Sequence, residues 1–334
     1  MNRLLTFLLF FTLTASLAQT TPQTSSYPAI AYVVKEVGAK DILMSKNQNS
    51  RIAPASLTKV LTCSIALELS DLNAQVTVPQ EATLVEPSKA GFKAGEVFTM
   101  HDLIEAALVH SANDAAYTIA YHIGGGDINK FVVLMNAKAQ SLGMVNSHFT
   151  NPAGFDIADH YSTAADLLKL AEFAIKNRTF NETVKMHSTT ITAINTGHVY
   201  KMKTSNKLLD KYPYAVGIKT GYTKKAGPCL IARAKKDNKD VLVVLLKSKV
   251  SRWGMVENIF EKAYDMKEPE MEVREDIAVP GASYQKLANN SSKAKKAKLA
   301  KKQSVAKKTT ITRKQPTIQN RQKVANHAQV RNAN

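Results

Sequence analysis

A serine and a lysine lie one helical turn apart in the segment APASLTKVLT, as Ser56-Leu57-Thr58-Lys59. Side chains at positions i and i+3 of a helix are neighbours, with Cβ atoms about 5–6 Å apart, so Lys59 can reach the Ser56 hydroxyl. A serine that gives its proton to an adjacent base attacks carbonyl carbons and forms a covalent intermediate. The spacing predicts Ser56 as a nucleophile and Lys59 as its general base. The plainer alternative is a polar step on an amphipathic helix.

Two further motifs later in the chain favour the catalytic interpretation. Ser111-Ala112-Asn113 lies between two predicted helices, and Lys219-Thr220-Gly221 lies at the end of a predicted strand. Each motif is weak by itself. In this order, together with a Ser-x-x-Lys helix start, they are typical of penicillin-binding proteins and class A β-lactamases.

Longer segments resemble one family more specifically. The segments that carry the resemblance are APASLTK, HSANDAA, LMNAKAQSLGM, NPAGFDIADHYSTAADL and GIKTGYTKKAGPCL, all within residues 29–267. They are similar to the serine-type D-alanyl-D-alanine carboxypeptidases, the low-molecular-mass penicillin-binding proteins of peptidase family S11. The resemblance implies removal of the terminal D-alanine from peptidoglycan stem pentapeptides through a Ser56 acyl-enzyme, with β-lactams as covalent inhibitors. It implies no metal and no cofactor.

The resemblance also implies roles on the nucleophile side of the site. Ser111 would relay the proton to the leaving amine, and Asn113 would hold a substrate amide. The oxyanion hole would consist of the backbone N–H groups of Ser56 and Tyr222. These groups are therefore expected to meet in one cleft.

On the strand side, the resemblance implies recognition of the terminal carboxylate by Lys219 as a point charge and by Thr220 as a hydroxyl donor. Gly221 lacks a side chain, so the substrate backbone could lie against the strand as an added strand. A lysine acts as a base only when neutral, and burial and a nearby like charge both lower its pKa. Lys219 is the expected like charge beside Lys59.

Four residues near the motifs favour structural interpretations. Arg252 could assist carboxylate binding, but a solvated arginine at a helix start is favoured. His110 is interpreted as structural, because the lysine base makes a Ser-His pair unnecessary. Asp114 is interpreted as a helix-terminus charge, and Trp253 as a core residue.

Three other functions remain as alternatives. A class A β-lactamase needs a glutamate to activate the deacylating water, and residues 136–171 contain none, so inhibition by penicillin is expected rather than its hydrolysis. A DD-endopeptidase that cleaves peptidoglycan cross-links stays open, because no second β-rich domain or C-terminal amphipathic helix is evident after residue 267. A non-catalytic envelope-binding protein is opposed by the three intact motifs.

The elements around the motifs predict an α+β fold, with an antiparallel sheet covered by helices, an all-α lobe and the active site in the cleft between them. The segments CLIARA and VLVVLLKS indicate a hairpin across Asp237-Asn238. Thr99-x-x-Asp102 and Thr163-x-x-Asp166 are predicted helix starts, and Pro54 is expected in the first turn of the Ser56 helix. The resemblance implies the same β-lactamase/transpeptidase-like architecture.

The two ends of the chain differ from the region between them. Residues 1–18 are predicted to be a signal peptide, since the apolar run LLTFLLFFTLTASL is shorter than the ~20 residues that cross a bilayer; an uncleaved anchor is the alternative. We expect a linker over 19–28, the catalytic domain over 29–267 and a short connector over 268–285. Residues 286–334 hold 14 Lys and Arg and no Asp or Glu, and this composition predicts disorder.

The net charge of +18 belongs to this basic tail, because the rest of the chain has 31 basic and 27 acidic residues. Export would place the protein in the periplasm or the extracellular envelope. The tail is then expected to contact anionic envelope polymers or a membrane surface, and no nucleic acid. Cys63 and Cys229 lie in apolar segments and are expected to be buried thiols, with one disulfide as the alternative.

Overall fold

A computed structural model describes residues 27–266 of the chain. The predicted signal peptide over 1–18, the connector over 268–285 and the basic tail over 286–334 lie outside the described residues, as does most of the linker. The predicted catalytic domain over 29–267 is described except for its last residue.

A five-stranded antiparallel sheet forms the centre of the fold, with strand order β2-β1-β9-β8-β7. Successive side chains of β9 point to opposite faces of the sheet. Both faces are covered, so Val241 through Leu246 are all buried. The predicted hairpin is confirmed, with Asp237 in a left-handed conformation at its turn (φ 54°). The strands of this sheet are β1 (Ala29–Glu36), β2 (Ile42–Lys46), β7 (Ala215–Gly221), β8 (Cys229–Lys236) and β9 (Lys239–Ser248).

Helices cover the sheet on both faces and build a second lobe. One face of the sheet packs against α9, and the opposite face packs against α6. Helix α1 lies between α6 and the helical lobe, so the Ser56 turn sits where the two lobes meet. The helices are α1 (Thr58–Leu69), α2 (Gln80–Thr83), α3 (Met100–Glu105), α4 (Asn113–Gly124), α5 (Ile128–Ser141), α6 (Ala164–Ala174), α7 (Arg178–Val184), α8 (Leu208–Lys211) and α9 (Arg252–Tyr264).

The helical lobe also contains two small sheets, so the prediction of an all-α lobe is wrong in this detail. Strand β3 (Gln75–Thr77) pairs with β4 (Val97–Thr99), and β5 (Ser188–Thr192) pairs with β6 (Val199–Lys203), both antiparallel. The first pair has only three residues per strand, too short to give a periodic pattern. In β5 alternate residues are buried, and its Thr and Ile residues favour a strand.

The predicted helix starts are confirmed, with one shift. Thr99 and Asp102 form a complete capping box, and the Thr163 side chain accepts from the backbone of Asp166. Pro54 precedes the first turn of its helix instead of lying within it, because a 3₁₀ turn over Ala55–Leu57 leads into α1.

Both cysteines are buried and free, which confirms the thiol interpretation. Within residues 27–266, no helix combines the length and apolarity needed to cross a membrane. In the same range, no three His, Cys, Asp or Glu side chains are grouped so that they could hold a metal ion.

Candidate active site

The predicted nucleophile lies in the 3₁₀ turn that leads into α1. Its preceding residue, Ala55, has a left-handed backbone (φ 50°), a conformation that costs energy for a non-glycine residue and clusters at functional sites. Lys59 follows in the first turn of α1, and its Nζ lies 2.9 Å from Ser56 Oγ. The one-turn spacing therefore produces the contact that the sequence predicted.

Lys59 is enclosed by groups that suit a neutral amine. The side chain is fully buried, and Nζ lies 2.6 Å from Asn113 Oδ1 and 2.8 Å from the Ala153 carbonyl oxygen. Burial, and next the charge of Lys219, hold the pKa of Lys59 well below its usual range. A neutral amine has two N–H donors for these two oxygens and one lone pair, which is left for the proton of Ser56 Oγ. This is the geometry that a base beside Ser56 requires.

The Ser111 motif is positioned by an irregular helix end. A single π turn over Ala106–His110 ends at Ser111, which is left-handed (φ 69°) and turns the chain towards the cleft. Asn113 begins α4, and its side-chain amide donates to the Glu86 carbonyl at 2.8 Å while its Oδ1 faces Lys59. The motif therefore joins the Lys59 pocket to the loop between α2 and β4.

The Lys-Thr-Gly motif ends β7, an edge strand of the sheet. The Thr220 hydroxyl faces the cleft and lies 2.7 Å from Ser205 Oγ. Lys219, in contrast, is 1% exposed, is not among the cleft-lining residues, and donates to the Thr220 carbonyl at 3.1 Å. Direct contact between Lys219 and a substrate carboxylate is therefore not what this geometry supports. Burial lowers the pKa of Lys219 to about 7. The charge of Lys219 acts on Lys59 from behind the cleft wall and contributes to the lowered pKa of Lys59.

Close packing at Gly221 favours glycine independently of the predicted pairing with a substrate backbone. A Cβ at this position would lie 3.1 Å from the Pro54 carbonyl oxygen and 3.2 Å from Ala55 Cβ, so it would press on the nucleophile turn. The missing side chain lets β7 pack closely against that turn. Tyr222, the next residue, is 65% exposed at the rim of the cleft.

A cleft of about 240 Å³ brings the motifs together. It contains Ser56, Ser111, Asn113, Thr220, Gly221 and Tyr222, and Lys59 and Lys219 lie buried behind its walls. No Asp or Glu side chain lines this cleft in the described part of the chain. The cleft is lined by Ser56, Pro87, Ser88, His110, Ser111, Asn113, Ala153, Gly154, Phe155, Ser205, Thr220, Gly221, Tyr222, Thr223 and Arg252.

The four residues interpreted as structural have different outcomes. Arg252 is not a solvated helix-start residue: it is half-buried, lines the cleft and donates to the carbonyls of Gly221 and Cys229 at 2.8 and 2.9 Å. His110 also lines the cleft, with Nδ1 3.2 Å from a backbone oxygen. Trp253 is half-buried beside the α9 core.

Asp114 lies in the first turn of α4, as predicted, but it is fully buried. Its carboxylate accepts from the backbone N–H groups of Ala90, Gly91 and Phe92, which lie in the loop that also contacts Asn113. Asp114 therefore fixes this loop, and its role is structural support of the site.

The loop over 151–155 forms one wall of the cleft, a role that no residue pattern predicted. Asn151 Oδ1 accepts from three successive backbone N–H groups, those of Ala153, Gly154 and Phe155. The loop thereby presents the Ala153 carbonyl to Lys59. Ser205 was missed as well. The segment NPAGFDIADHY contains the signal for the loop, but no residue spacing identifies Ser205.

The chain is similar to several known proteins. A family model described as D-alanyl-D-alanine carboxypeptidase, peptidase S11, matches residues 18–250. The D-alanyl-D-alanine carboxypeptidase DacF of Bacillus subtilis is 32% identical over 225 residues, which are 66% of this chain and 57% of that protein. DacB2 of Mycobacterium tuberculosis, with the same description, is 32% identical over 68% of this chain and 77% of its own length. The chain thus spans little more than half of the first of these relatives.

Other matches carry related names. A D-alanyl-D-alanine endopeptidase of Escherichia coli is 27% identical over 67% of this chain. Among solved structures, the Streptomyces K15 DD-transpeptidase superimposes with a TM-score of 0.69 at 28% identity, over 73% of this chain and 100% of that one. The predicted α+β transpeptidase-like fold is confirmed.

Proposed function

Because the chain belongs to the D-alanyl-D-alanine carboxypeptidase family, peptidase family S11, we propose that it removes the terminal D-alanine from peptidoglycan stem pentapeptides. The reaction proceeds through an ester between Ser56 and the penultimate D-alanine. The observation that carries the proposal is the 2.9 Å contact between Lys59 Nζ and Ser56 Oγ, in a pocket that favours the neutral amine.

In the acylation step, Ser56 Oγ attacks the carbonyl carbon of the penultimate D-alanine, and its proton passes to Lys59 Nζ. A base positioned in this way contributes about 10²–10⁴-fold to the rate. The carbonyl oxygen becomes an oxyanion, which the backbone N–H groups of Ser56 and Tyr222 stabilise. The C–N bond then breaks, and the leaving amine takes its proton by way of Ser111.

The terminal carboxylate lies against the β7 side of the cleft. The Thr220 hydroxyl donates to it, and the Arg252 guanidinium and the buried Lys219 supply positive charge from the wall and from behind it. Asn113 holds a substrate amide through its side chain. Because β7 is an edge strand, the substrate backbone can pair with it as an added strand.

Water hydrolyses the acyl-enzyme and returns Ser56. β-Lactams acylate the same serine, and the lack of a carboxylate on the wall of the described cleft supports a slow hydrolysis of that adduct. The protein therefore acts as a penicillin-inhibited enzyme of the cell envelope, exported by the segment 1–18 to the periplasm or the cell exterior. The basic tail over 286–334 would hold it near anionic envelope polymers or the membrane surface.

The test is release of free D-alanine from a pentapeptide muropeptide by the wild type and by Ser56→Ala. We expect release by the wild type only, together with covalent labelling of the wild type by a fluorescent penicillin. A wild type that is labelled by penicillin but releases no D-alanine would contradict the proposed substrate.

A DD-endopeptidase is the second candidate, favoured by the similarity to proteins with that name. A cross-linked muropeptide dimer, assayed in parallel, separates the two activities. Monomers formed from the dimer, without D-alanine from the pentapeptide, would reassign the protein to the endopeptidases. The non-catalytic alternative is tested with Ser56→Ala. If this variant is no longer labelled by penicillin but still binds envelope preparations, envelope binding is a property of the tail that is separate from catalysis.

A further inference from the structure

The peptide bond between Ala55 and Ser56 carries an oxyanion donor at one end and a hydrogen-bonded carbonyl at the other. The Thr58 hydroxyl donates to the Ala55 carbonyl oxygen at 2.9 Å. Gly154 packs on the same peptide so closely that a Cβ there would lie 1.9 Å from the Ala55 oxygen. Since a peptide unit is planar, whatever holds the Ala55 oxygen also sets the direction of the Ser56 N–H.

A buried histidine continues this contact away from the cleft. His160 is 3% exposed, and its Nε2 lies 2.9 Å from Thr58 Oγ1. The other ring nitrogen, Nδ1, faces the backbone N–H of Thr150 at 3.0 Å and the side-chain amide nitrogen of Asn151 at 3.3 Å. Both of these groups can only donate, so Nδ1 accepts and the ring proton is on Nε2.

In this series of hydrogen bonds, every donor points the same way, towards the Ala55 carbonyl oxygen. The Thr150 N–H donates to His160 Nδ1, His160 Nε2–H donates to Thr58 Oγ1, and the Thr58 hydroxyl donates to the Ala55 carbonyl. The ring must be neutral for this order. Burial, with a smaller contribution from His148, lowers the pKa of His160 to about 4, although Asp156 acts in the opposite direction. His160 is therefore neutral under ordinary conditions.

We propose that Thr58 and His160 are positioning residues of the oxyanion hole, which orient and polarise the Ser56 N–H through the Ala55 carbonyl. The inference rests on the proposed function, because only an acyl-transfer reaction places an oxyanion at this N–H. Hydrogen bonds that point the same way along a buried chain strengthen one another. A carbonyl that accepts such a bond has a more strongly donating N–H at the other end of its peptide unit.

The strained backbone at the nucleophile gives a further reason for the chain. Ala55 has φ 50° and is not a glycine, and such a residue keeps its conformation only where its surroundings over-determine it. The Thr58 hydroxyl, the Thr58 backbone N–H and Gly154 all restrain this one carbonyl. A purely structural role, in which His160 merely ties the 150–160 segment to α1, would leave the donor strength of Ser56 N–H unaffected.

The experiment compares two disruptive variants with two that restore the missing contact. Thr58→Val removes the hydroxyl at nearly constant volume, and Thr58→Ser keeps it. His160→Asn keeps an acceptor near the Nδ1 position but loses the donor to Thr58, whereas His160→Gln keeps a donor near the Nε2 position. Ser64→Ala is the control, because it removes another buried hydroxyl of α1, one that has no hydrogen-bond partner among the described residues and so no link to the Ala55 carbonyl.

The probe is a penicillin labelled with ¹³C at its β-lactam carbonyl. Stopped-flow acylation gives the rate constant of the covalent step apart from the affinity of the first complex, and infrared difference spectra give the ester carbonyl frequency of the Ser56 adduct. That frequency falls as hydrogen bonding in the oxyanion hole strengthens, so it reports on the Ser56 N–H directly.

We expect Thr58→Val and His160→Asn to slow the covalent step about 10-fold, less than the 10²–10³-fold cost of removing an oxyanion donor. Their ester band should move to higher wavenumber, with the affinity of the first complex unchanged. The double variant should be no slower than the slower single variant, because both changes interrupt one chain. Thr58→Ser and His160→Gln should restore most of the rate and the wild-type band.

An ester band that stays in place in both Thr58→Val and His160→Asn overturns the inference, even if acylation slows. So does an equal band shift in Ser64→Ala. If only one of the two disruptive variants folds, its band alone decides. A wild type that no penicillin acylates would instead contradict the proposed function, so failure of the function and failure of this inference give different results.

Discussion

The two faces of the central sheet are built on different principles, although they share the same strands. On one face, Val241, Val243 and Leu245 of β9 form an apolar cluster with Val256 and Phe260 of α9. On the other face, the packing against α1 and α6 encloses Lys59 and His160, both of which are buried and hydrogen-bonded. Apolar burial is enough to stabilise a sheet face, whereas a catalytic face must also hydrogen-bond the ionisable groups that it encloses.

This difference predicts that substitutions on the α9 face change stability alone, and that substitutions on the catalytic face change activity as well. Variants on the two faces, and the pH dependence of stability, test this separation.

Lys59→Met should slow acylation by a fluorescent penicillin about 10²–10⁴-fold, because it removes the base from Ser56. Far-ultraviolet circular dichroism should show that the fold is retained. Lys138→Met is the matched control: Lys138 is also a buried lysine, paired with Glu68 at 2.6 Å and lying over the Phe173 ring, but it does not reach the cleft. A comparable loss of acylation in Lys138→Met would mean that removing any buried lysine disturbs the site, so that the loss in Lys59→Met would not identify Lys59 as the base.

Phe260→Ala should lower the free energy of unfolding by about 3–5 kcal/mol without changing the acylation rate of the folded protein. Phe260 is fully buried and stacks on Tyr212 with ring centroids 5.6 Å apart. Urea unfolding gives the stability, and acylation measured well below the melting temperature gives the activity.

Phe149→Ala is the corresponding change on the catalytic face. Phe149 is equally buried, and its ring packs edge-on against His160 at 5.6 Å. We expect a similar loss of stability, now with slower acylation. If both variants slow acylation equally, the proposed separation of the two faces is wrong.

The pH dependence of stability should carry the signature of His160. Its pKa is lowered from 6.5 to about 4 in the folded protein, so between these values the unfolded chain binds the proton and the folded one does not. The contribution of the neutral His160 ring to the free energy of unfolding is fully present above pH 6.5. It is lost as the pH falls towards 4, by about 3 kcal/mol at most. Urea unfolding at pH 7 and pH 4.5 should show a smaller difference in His160→Gln than in the wild type. An identical difference would show that the ring titrates normally.

Gly221→Ala should slow acylation about 10-fold, a barrier increase of about 1.4 kcal/mol. The new methyl group would press on Pro54 and Ala55, which must move by a few tenths of an ångström. Gly254→Ala is the control on α9: a Cβ there meets nothing within 4 Å, so the helix should gain about 0.5–1 kcal/mol with unchanged acylation. Faster or unchanged acylation in Gly221→Ala would show that the turn tolerates the contact.

The sequence by itself determined the local elements and the reacting groups. Ser56 and Lys59 meet because i and i+3 are neighbours on any helical turn, and the capping box at Thr99 and the β8–β9 hairpin follow from equally local rules. These features need no knowledge of distant parts of the chain.

Only the tertiary structure decided how the distant segments support those groups. The position of Arg252 in the cleft wall reversed its predicted solvation, and the burial of Lys219 was not predicted, because exposure depends on which surfaces pack together. Ala55, more than 160 residues earlier, occupies the space next to Gly221. The hydroxyl of Thr58 contacts His160, which lies 102 residues later in the sequence. Periodicity and spacing record neighbours along the chain, and contacts of this kind exist only after the lobes have packed.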